Sequence, residues 1–398
     1  MYIYTKKDEE RIMKKLVSVV LVAAMTLSML VGCGSNGAAS ASADTWKLGG
    51  IGPITGGAAV YGLAVMNAGQ IAVDEINAAG GINGCQIEYN FQDDELDNEK
   101  SVNAYNTLKD WGMNLLMGSV TSGCCVAVAA ESSNDNMFEI TPSGSAYDCI
   151  GTNDNVFQVC FTDPNQGIGA ADYIADNGVA SKVAVIYDSS DVYSSGIYAK
   201  FAEEAKAKNL EIVSAEAFTA DSKTDFSVQL QKAQDAGAEL VFLPIYYTEA
   251  SLILTQANTM GYAPKFFGCD GLDGILGVEN FDTSLAEGVM LLTPFAADAT
   301  DAKTQAFVAE YQKRFGELPN QFAADAYDAV YILKTVLEAK NCKPSMSISD
   351  ICEACKAGMQ EVKYDGLTGE GMSWDADGAV NKAPKAMEIV GGEYKLIQ

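Results

Sequence analysis

From Thr45 onward the chain alternates short apolar runs with longer stretches in which apolar residues recur every three or four positions. WKLGGIG, from Trp46, has strand length. AAVYGLAVMNAGQIAVDEINAAGG, from Ala58, has helical periodicity and is closed by Gly80 and Gly81. The same rhythm predicts a strand in CQIEYNF, a helix in SVNAYNTLKDWG, a strand in NLLMGS, a helix from Ser122 and a strand in NMFEITP. A second series begins near Asp163. It holds strands KVAVIYD, EIVSAEAF, LVFLPIY and KFFGCDG, with helices over Ser194 to Lys208, from Phe226 and from Glu249. The tail adds helices over Ala302 to Phe315, Phe322 to Ala339 and near Ser347 to Gln360, then a strand-rich end. Strand–helix repetition argues for parallel sheets covered on both faces, so the expected class is α/β, with two units of similar rhythm.

Composition narrows the function classes. The chain has 398 residues, enough for two or three domain-sized units, and a formal net charge of −27. Nucleic acid and anionic lipid both need a basic footprint, so neither is an expected partner by charge. There is no histidine. That removes Ser-His-Asp and Cys-His machinery and His-ligated zinc, and it counts against an enzyme. No metal or cofactor is expected. SWDADGAV lacks the closing glutamate of a calcium loop and reads as a turn, and CEAC at Cys352 and Cys355 has no second cysteine pair at zinc spacing. The bland reading of those thiols is that they are small and half-buried.

The N-terminus carries an address. Lys14 and Lys15 precede an apolar segment from Leu16 to Val31, followed by Gly32 and Cys33. The segment is short for a membrane span and suits a signal peptide, with Met13 as a candidate start. Gly32–Cys33 resembles the bacterial lipobox, in which the cysteine is lipidated and becomes the new N-terminus. The expected layout is therefore a signal peptide over 1–32 and a Gly/Ser/Ala tether over 33–44. The protein would be anchored through lipid on the outer face of the cytoplasmic membrane, or in the periplasm.

Open parallel sheets bind ligands at the carboxyl ends of their strands. In this chain those ends read GSVTSG, TPSGSAY, YDSSDVYSSG, PIYYTEAS and GCDGLDG. The set is serines, tyrosines and Asp270, without a basic residue and without a phosphate loop or dinucleotide fingerprint. It suits a small zwitterion: hydroxyls and helix N–H groups take a carboxylate, and an aspartate takes an ammonium.

GPITGGAAVYGLAVMNAGQIAVDEINAAGGINGCQIE followed by DDE, then TPSGSA and YDSSDVYSSG in order and spacing, resembles the leucine/isoleucine/valine-binding proteins of bacterial ABC importers. The resemblance runs from about Lys47 to the C-terminus. It implies two Rossmann-like lobes joined by three hinge crossings and closing on a ligand, with lobe 1 over 45–162 plus 293–383 and lobe 2 over 163–292 plus 384–398. Carried over residue by residue, it makes Ser122 and Ser145 the hydroxyls for the ligand carboxylate. Ser143 offers a backbone carbonyl to the ammonium, and Asp270 is the counter-ion where the best-known members have glutamate. Tyr61, Val120, Tyr193, Tyr246 and Phe322 surround the side-chain pocket and cleft mouth. The disulfide of some members has Leu96 and Thr121 at its two places. The function implied is capture of a small amino acid, branched-chain or otherwise apolar, by a monomer that delivers it to an ABC permease, with no cofactor and no catalysis. Two alternatives stay open: the same fold binding an amide, urea or aromatic acid, and a ligand-sensing surface receptor domain. A hydrolase on an α/β scaffold would need a nucleophile elbow and a histidine base, and the sequence has neither.

Overall fold

The structure, a computed structural model, describes residues 44–397. The expected signal segment, Cys33 and all of the tether but Asp44 lie outside the described residues. The first series forms β1 (Trp46–Gly52), α1 (Ala59–Ala78), β2 (Ile87–Asp93), α2 (Asn98–Trp111), β3 (Leu115–Met117), α3 (Ser122–Asn134), β4 (Glu139–Thr141) and β5 (Val156–Gln158). Its five strands make one parallel sheet in the order β2-β1-β3-β4-β5.

The second series runs α4 (Asp163–Asp176), β6 (Lys182–Asp188), α5 (Val192–Ala207), β7 (Glu211–Phe218), α6 (Ser227–Asp235), β8 (Leu240–Leu243), α7 (Tyr247–Met260), β9 (Lys265–Gly268) and β10 (Met290–Thr293). Helices α8 (Ala302–Phe315), α9 (Gln321–Ala339) and α10 (Ile348–Met359) follow, then strands β11 (Lys385–Val390) and β12 (Glu393–Leu396). The second sheet has seven strands, ordered β12-β11-β10-β9-β8-β6-β7. It is parallel except that β11 runs antiparallel to both of its neighbours. The fold is thus α/β with two mostly parallel sheets, as expected. Helix α9 lies along α1 on the first sheet's side. The chain therefore passes between the two bodies three times: after β5, after β10 and before β11.

Two close approaches explain why α1 sits where it does. A Cβ on Gly62 would stand 2.0 Å from the Pro53 carbonyl oxygen, so only glycine lets the helix start against the β1 turn. Gly81, at φ +78°, turns the chain out of the helix where a Cβ would meet the Cys85 carbonyl at 2.0 Å.

The pattern reading missed α4, β5 and β10. It also placed the cysteine pair too near the surface: Cys352 and Cys355 are fully buried. Ile351, Cys352, Cys355 and Met359 form one apolar stripe of α10, and that stripe faces α9 and joins the main core. All nine cysteines among the described residues are unpaired. Among those residues no helix is long and apolar enough to cross a membrane, and no acidic or cysteine group is arranged to hold a metal.

Candidate functional site

The carboxyl ends of both sheets face a shared cleft. At its centre Tyr61, Val120, Thr121, Ser122 and Ser143 from one side meet Tyr193, Tyr246, Asp270 and Gly271 from the other, with Phe322 at the edge. Eight of the nine ligand residues expected from the sequence are in that lining. Ser145 stands behind it, buried.

The hydroxyls can be accounted for one by one. Ser122 opens α3, and its Oγ accepts the N–H groups of Ser145 (3.2 Å) and Ala146 (3.1 Å). A hydroxyl has two acceptor lone pairs and one proton, so Ser122 has only the proton left to give, and it suits an acceptor such as a carboxylate oxygen. Ser143 spends its hydroxyl on the Val120 carbonyl at 2.6 Å, which leaves its own backbone carbonyl as the group to offer. Tyr193 donates to Asp270 Oδ1 at 2.7 Å and accepts from Gly271 N–H at 2.9 Å. Tyr61 donates to the Gly271 carbonyl at 2.5 Å and accepts from Tyr247 N–H at 3.3 Å.

Asp270 begins a 3₁₀ turn directly after β9 and is 3% exposed. Its N–H donates to Gln166 Oε1 at 3.1 Å, and its carbonyl accepts from Gln321 Nε2 at 3.2 Å. Burial pushes its carboxyl up to about 7; the hydroxyl of Tyr193 pulls the other way.

Sequence reasoning missed the most unusual group. Asp163, in the first turn of α4, is 1% exposed, and neither carboxylate oxygen has a hydrogen-bond partner. Burial drives its pKa well above the carboxylate range, and the neighbouring Asp270 and Asp191 add to the shift. Gln166 Nε2, one turn further along α4, also lacks a partner. Asp191 is raised to about 6, chiefly by burial, and the Tyr246 hydroxyl eases that. The only signal for Asp163 in the sequence is the Thr-Asp-Pro start of a helix after an apolar run. A buried, unpartnered polar group is a feature of the folded state and cannot be seen in the sequence.

The lining therefore has one raised carboxyl group, Asp270, a hydroxyl proton opposite it and no cation; Asp191 and Asp163 lie outside that lining, Asp163 with its N–H on the Ser145 carbonyl. Four further bonds or contacts cross the cleft beside it. Thr248 Oγ1 donates to the Gly57 carbonyl at 2.5 Å, Val60 N–H donates to Tyr247 Oη at 3.1 Å, and Tyr61 packs edge-on to both Tyr246 and Tyr247. A second interlobe cavity of about 470 Å³ adjoins the first through Thr121 and Tyr246 and is lined by Asp97, Glu99, Asp188, Asp191 and Glu249, with Lys223 paired to Glu249.

The sequence profile of a family described as "Periplasmic binding protein" matches residues 45–393. The Leu/Ile/Val-binding protein homolog 3 of Brucella melitensis is 30% identical over 317 residues, covering 78% of this chain and 84% of that one. A leucine-, isoleucine-, valine-, threonine- and alanine-binding protein of Pseudomonas aeruginosa is 27% identical over 300 residues, covering 75% of this chain and 79% of its own. Among solved structures, the branched-chain amino acid transporter substrate binding protein LivJ of Streptococcus pneumoniae, in complex with isoleucine, superposes with TM-score 0.80 at 29% identity. It covers 89% of this chain and 99% of that chain. A Rhodopseudomonas palustris solute binding protein in complex with benzoate gives TM-score 0.78 at 19% identity, covering 89% and 95%, a likeness of fold alone.

Proposed function

The chain belongs to the periplasmic binding protein family, and from that premise we propose that it captures a small α-amino acid with an apolar side chain, branched-chain or smaller, and hands it to an ABC permease. The observation that carries the reading is the division of the central cavity. Ser122, with only a proton to give, faces the carboxylate, and the Ser145 hydroxyl supports it from behind. Asp270 takes the ammonium together with the Ser143 carbonyl. Tyr61, Val120, Tyr193, Tyr246 and Phe322 enclose the side chain. The two lobes, 45–162 plus 293–383 and 163–292 plus 384–398, close on the ligand and desolvate it. The reading involves no catalysis and no cofactor.

A thermal-shift screen with the twenty amino acids, benzoate and urea tests it, because a ligand of the native state raises the melting temperature by mass action. Apolar amino acids should give the largest shifts. A shift with benzoate or urea and none with any amino acid would favour the amide or aromatic-acid alternative, which the buried Asp270 argues against.

The same reading includes a monomer held through lipid at Cys33 on the outer face of the cytoplasmic membrane, supported by the Lys14–Cys33 segment. Cys33→Ser should release the protein from membranes. Retention after a carbonate wash would refute the anchor.

A further inference from the structure

The central cavity is about 10 Å³, on the scale of a single water. Its walls are aromatic and mutually packed. The Tyr61 ring lies 4.4 Å from Phe322 and 4.8 Å from Tyr247, and Tyr193 stacks on Tyr246 at 5.0 Å. We propose that this site selects α-amino acids with the smallest side chains, alanine-sized rather than leucine-sized, and that Tyr61 and Phe322 set the limit. The inference rests on the α-amino acid reading given above and narrows it.

The walls cannot simply turn aside. Tyr61 is tied at its hydroxyl to the Gly271 carbonyl and Tyr247 N–H, and Tyr193 is tied to Asp270 and Gly271. Phe322 sits in the first turn of α9 beside Gln321, whose N–H is held by Asp273 at 2.9 Å and whose amide reaches the Asp270 carbonyl. Swinging either Tyr61 or Tyr193 forfeits two buried hydrogen bonds.

Room for a ligand therefore comes from separating the lobes, and every added methylene asks for more separation or for overpacking of the rings. Separation is resisted at the same place. Gly57, Val60 and Tyr61 are the residues that bond across to Thr248, Tyr247 and Gly271. A methyl side chain spares most of those bonds, whereas a leucine side chain must break them or displace a ring. The adjoining 470 Å³ cavity sets five acids and Lys223 beside its apolar Leu96, Val192, Phe218 and Ile245, so a long side chain reaching it meets charged as well as apolar walls.

Isothermal titration at pH 8 with glycine, L-alanine, L-serine, L-valine, L-leucine and L-phenylalanine tests the proposal. L-alanine should bind at least tenfold more tightly than L-leucine, and L-phenylalanine most weakly. In Phe322→Ala, or in Phe322→Leu should the first variant melt early, the leucine-to-alanine ratio of Kd should fall at least tenfold, chiefly through tighter leucine binding. Leucine binding as tightly as alanine in the unmodified protein, or an unchanged ratio in both folded variants, would overturn the size limit and leave the amino-acid reading standing. Absence of heat with every amino acid would overturn both.

Discussion

Asp270→Asn isolates the charge that the site depends on. The substitution keeps the side chain's size and an oxygen for the Tyr193 hydroxyl, so neither a cavity nor a lost acceptor confuses the result. What disappears is one partner of an ion pair that would be desolvated when ligand is bound. Removing one partner of such a pair costs about 3–5 kcal/mol, because the remaining charge is left buried. The lower end of that range, about 3 kcal/mol, is roughly 100-fold in Kd at pH 8.

The pH dependence has a definite sign. Ligand ammonium needs the ionised carboxylate, and burial holds Asp270 protonated up to about 7. Below that value capture must expel a proton, so affinity should fall by about tenfold for each pH unit from 7 toward 5 and level off above 7. Asp270→Asn should lose one proton's worth of that slope. Stability should move oppositely. A carboxyl raised from 3.8 to about 7 makes the native state hold its proton more strongly than the unfolded chain does. The ligand-free protein therefore loses stability as pH rises through that window, by at most about 4 kcal/mol if the lobes stay closed. The variant should be the more stable protein without ligand at pH 8 and the poorer binder. Titration calorimetry at pH 5.5, 6.5 and 8.0 in two buffers of different ionisation enthalpy reads both affinity and proton release. Affinity within threefold of the unmodified protein at pH 8, or an unchanged proton count, would refute the assignment.

Glu139 is fully buried on Ser132 and Cys125, and burial lifts it from 4.5 to about 8. Stability should therefore fall as pH rises through that range, and Glu139→Gln should raise the melting temperature at pH 8 but hardly at pH 5; equal shifts at both would contradict it. Lys382, before the third crossing, gives hydrogen bonds to Asp325 (2.7 Å) and Thr368 (2.6 Å) with both charged groups buried. Lys382→Met should cost about 3–5 kcal/mol in urea unfolding, and adding Asp325→Leu should restore much of it; a neutral single variant would show that the pair does not matter. Thr248→Val deletes the hydroxyl donated to the Gly57 carbonyl across the cleft. Losing about 1 kcal/mol from the closed form should weaken binding of L-alanine, whose methyl group spares this bond, roughly fivefold. Unchanged affinity would mean that this bond is absent from the bound state.

The alternation of strand and helix was readable because α1, α2, β2, β6 and β7 are long enough for their periods to show. What failed was short or compositionally disguised. β5 has three residues and β10 four, both wholly buried, and so few apolar positions carry no period. Helix α4 was hidden by its own sequence, DPNQGIGAADYIAD, which reads as a turn. Its proline occupies the first turn, where no N–H is missed. Gly167 is there for packing: a Cβ would stand 2.5 Å from the Ile197 carbonyl of α5. A residue that weakens a lone helix is required once a second helix is pressed against it, and only the tertiary structure supplies that helix.

The site divides in the same way. Strand-end chemistry pointed to serines, tyrosines and Asp270 because the carboxyl ends of parallel strands converge wherever the sheet goes. Asp163 belongs to no strand end. It follows a crossing between the sheets, and its importance lies in an environment that leaves both oxygens without a donor. Ser145 was placed by resemblance at the ligand, and here it stands behind the wall with Asp163 N–H on its carbonyl. That arrangement bears on a puzzle in the sequence: an anion site built without lysine or arginine. A cation near Asp163, Asp191 and Asp270 would pair with them permanently and stabilise the ionised, ligand-free cleft. With no lysine or arginine in the lining, burial keeps all three carboxyls raised, Asp270 among them at the cavity itself. On the amino-acid reading proposed above, the missing arginine leaves the ligand, which carries both charges itself, to complete the site.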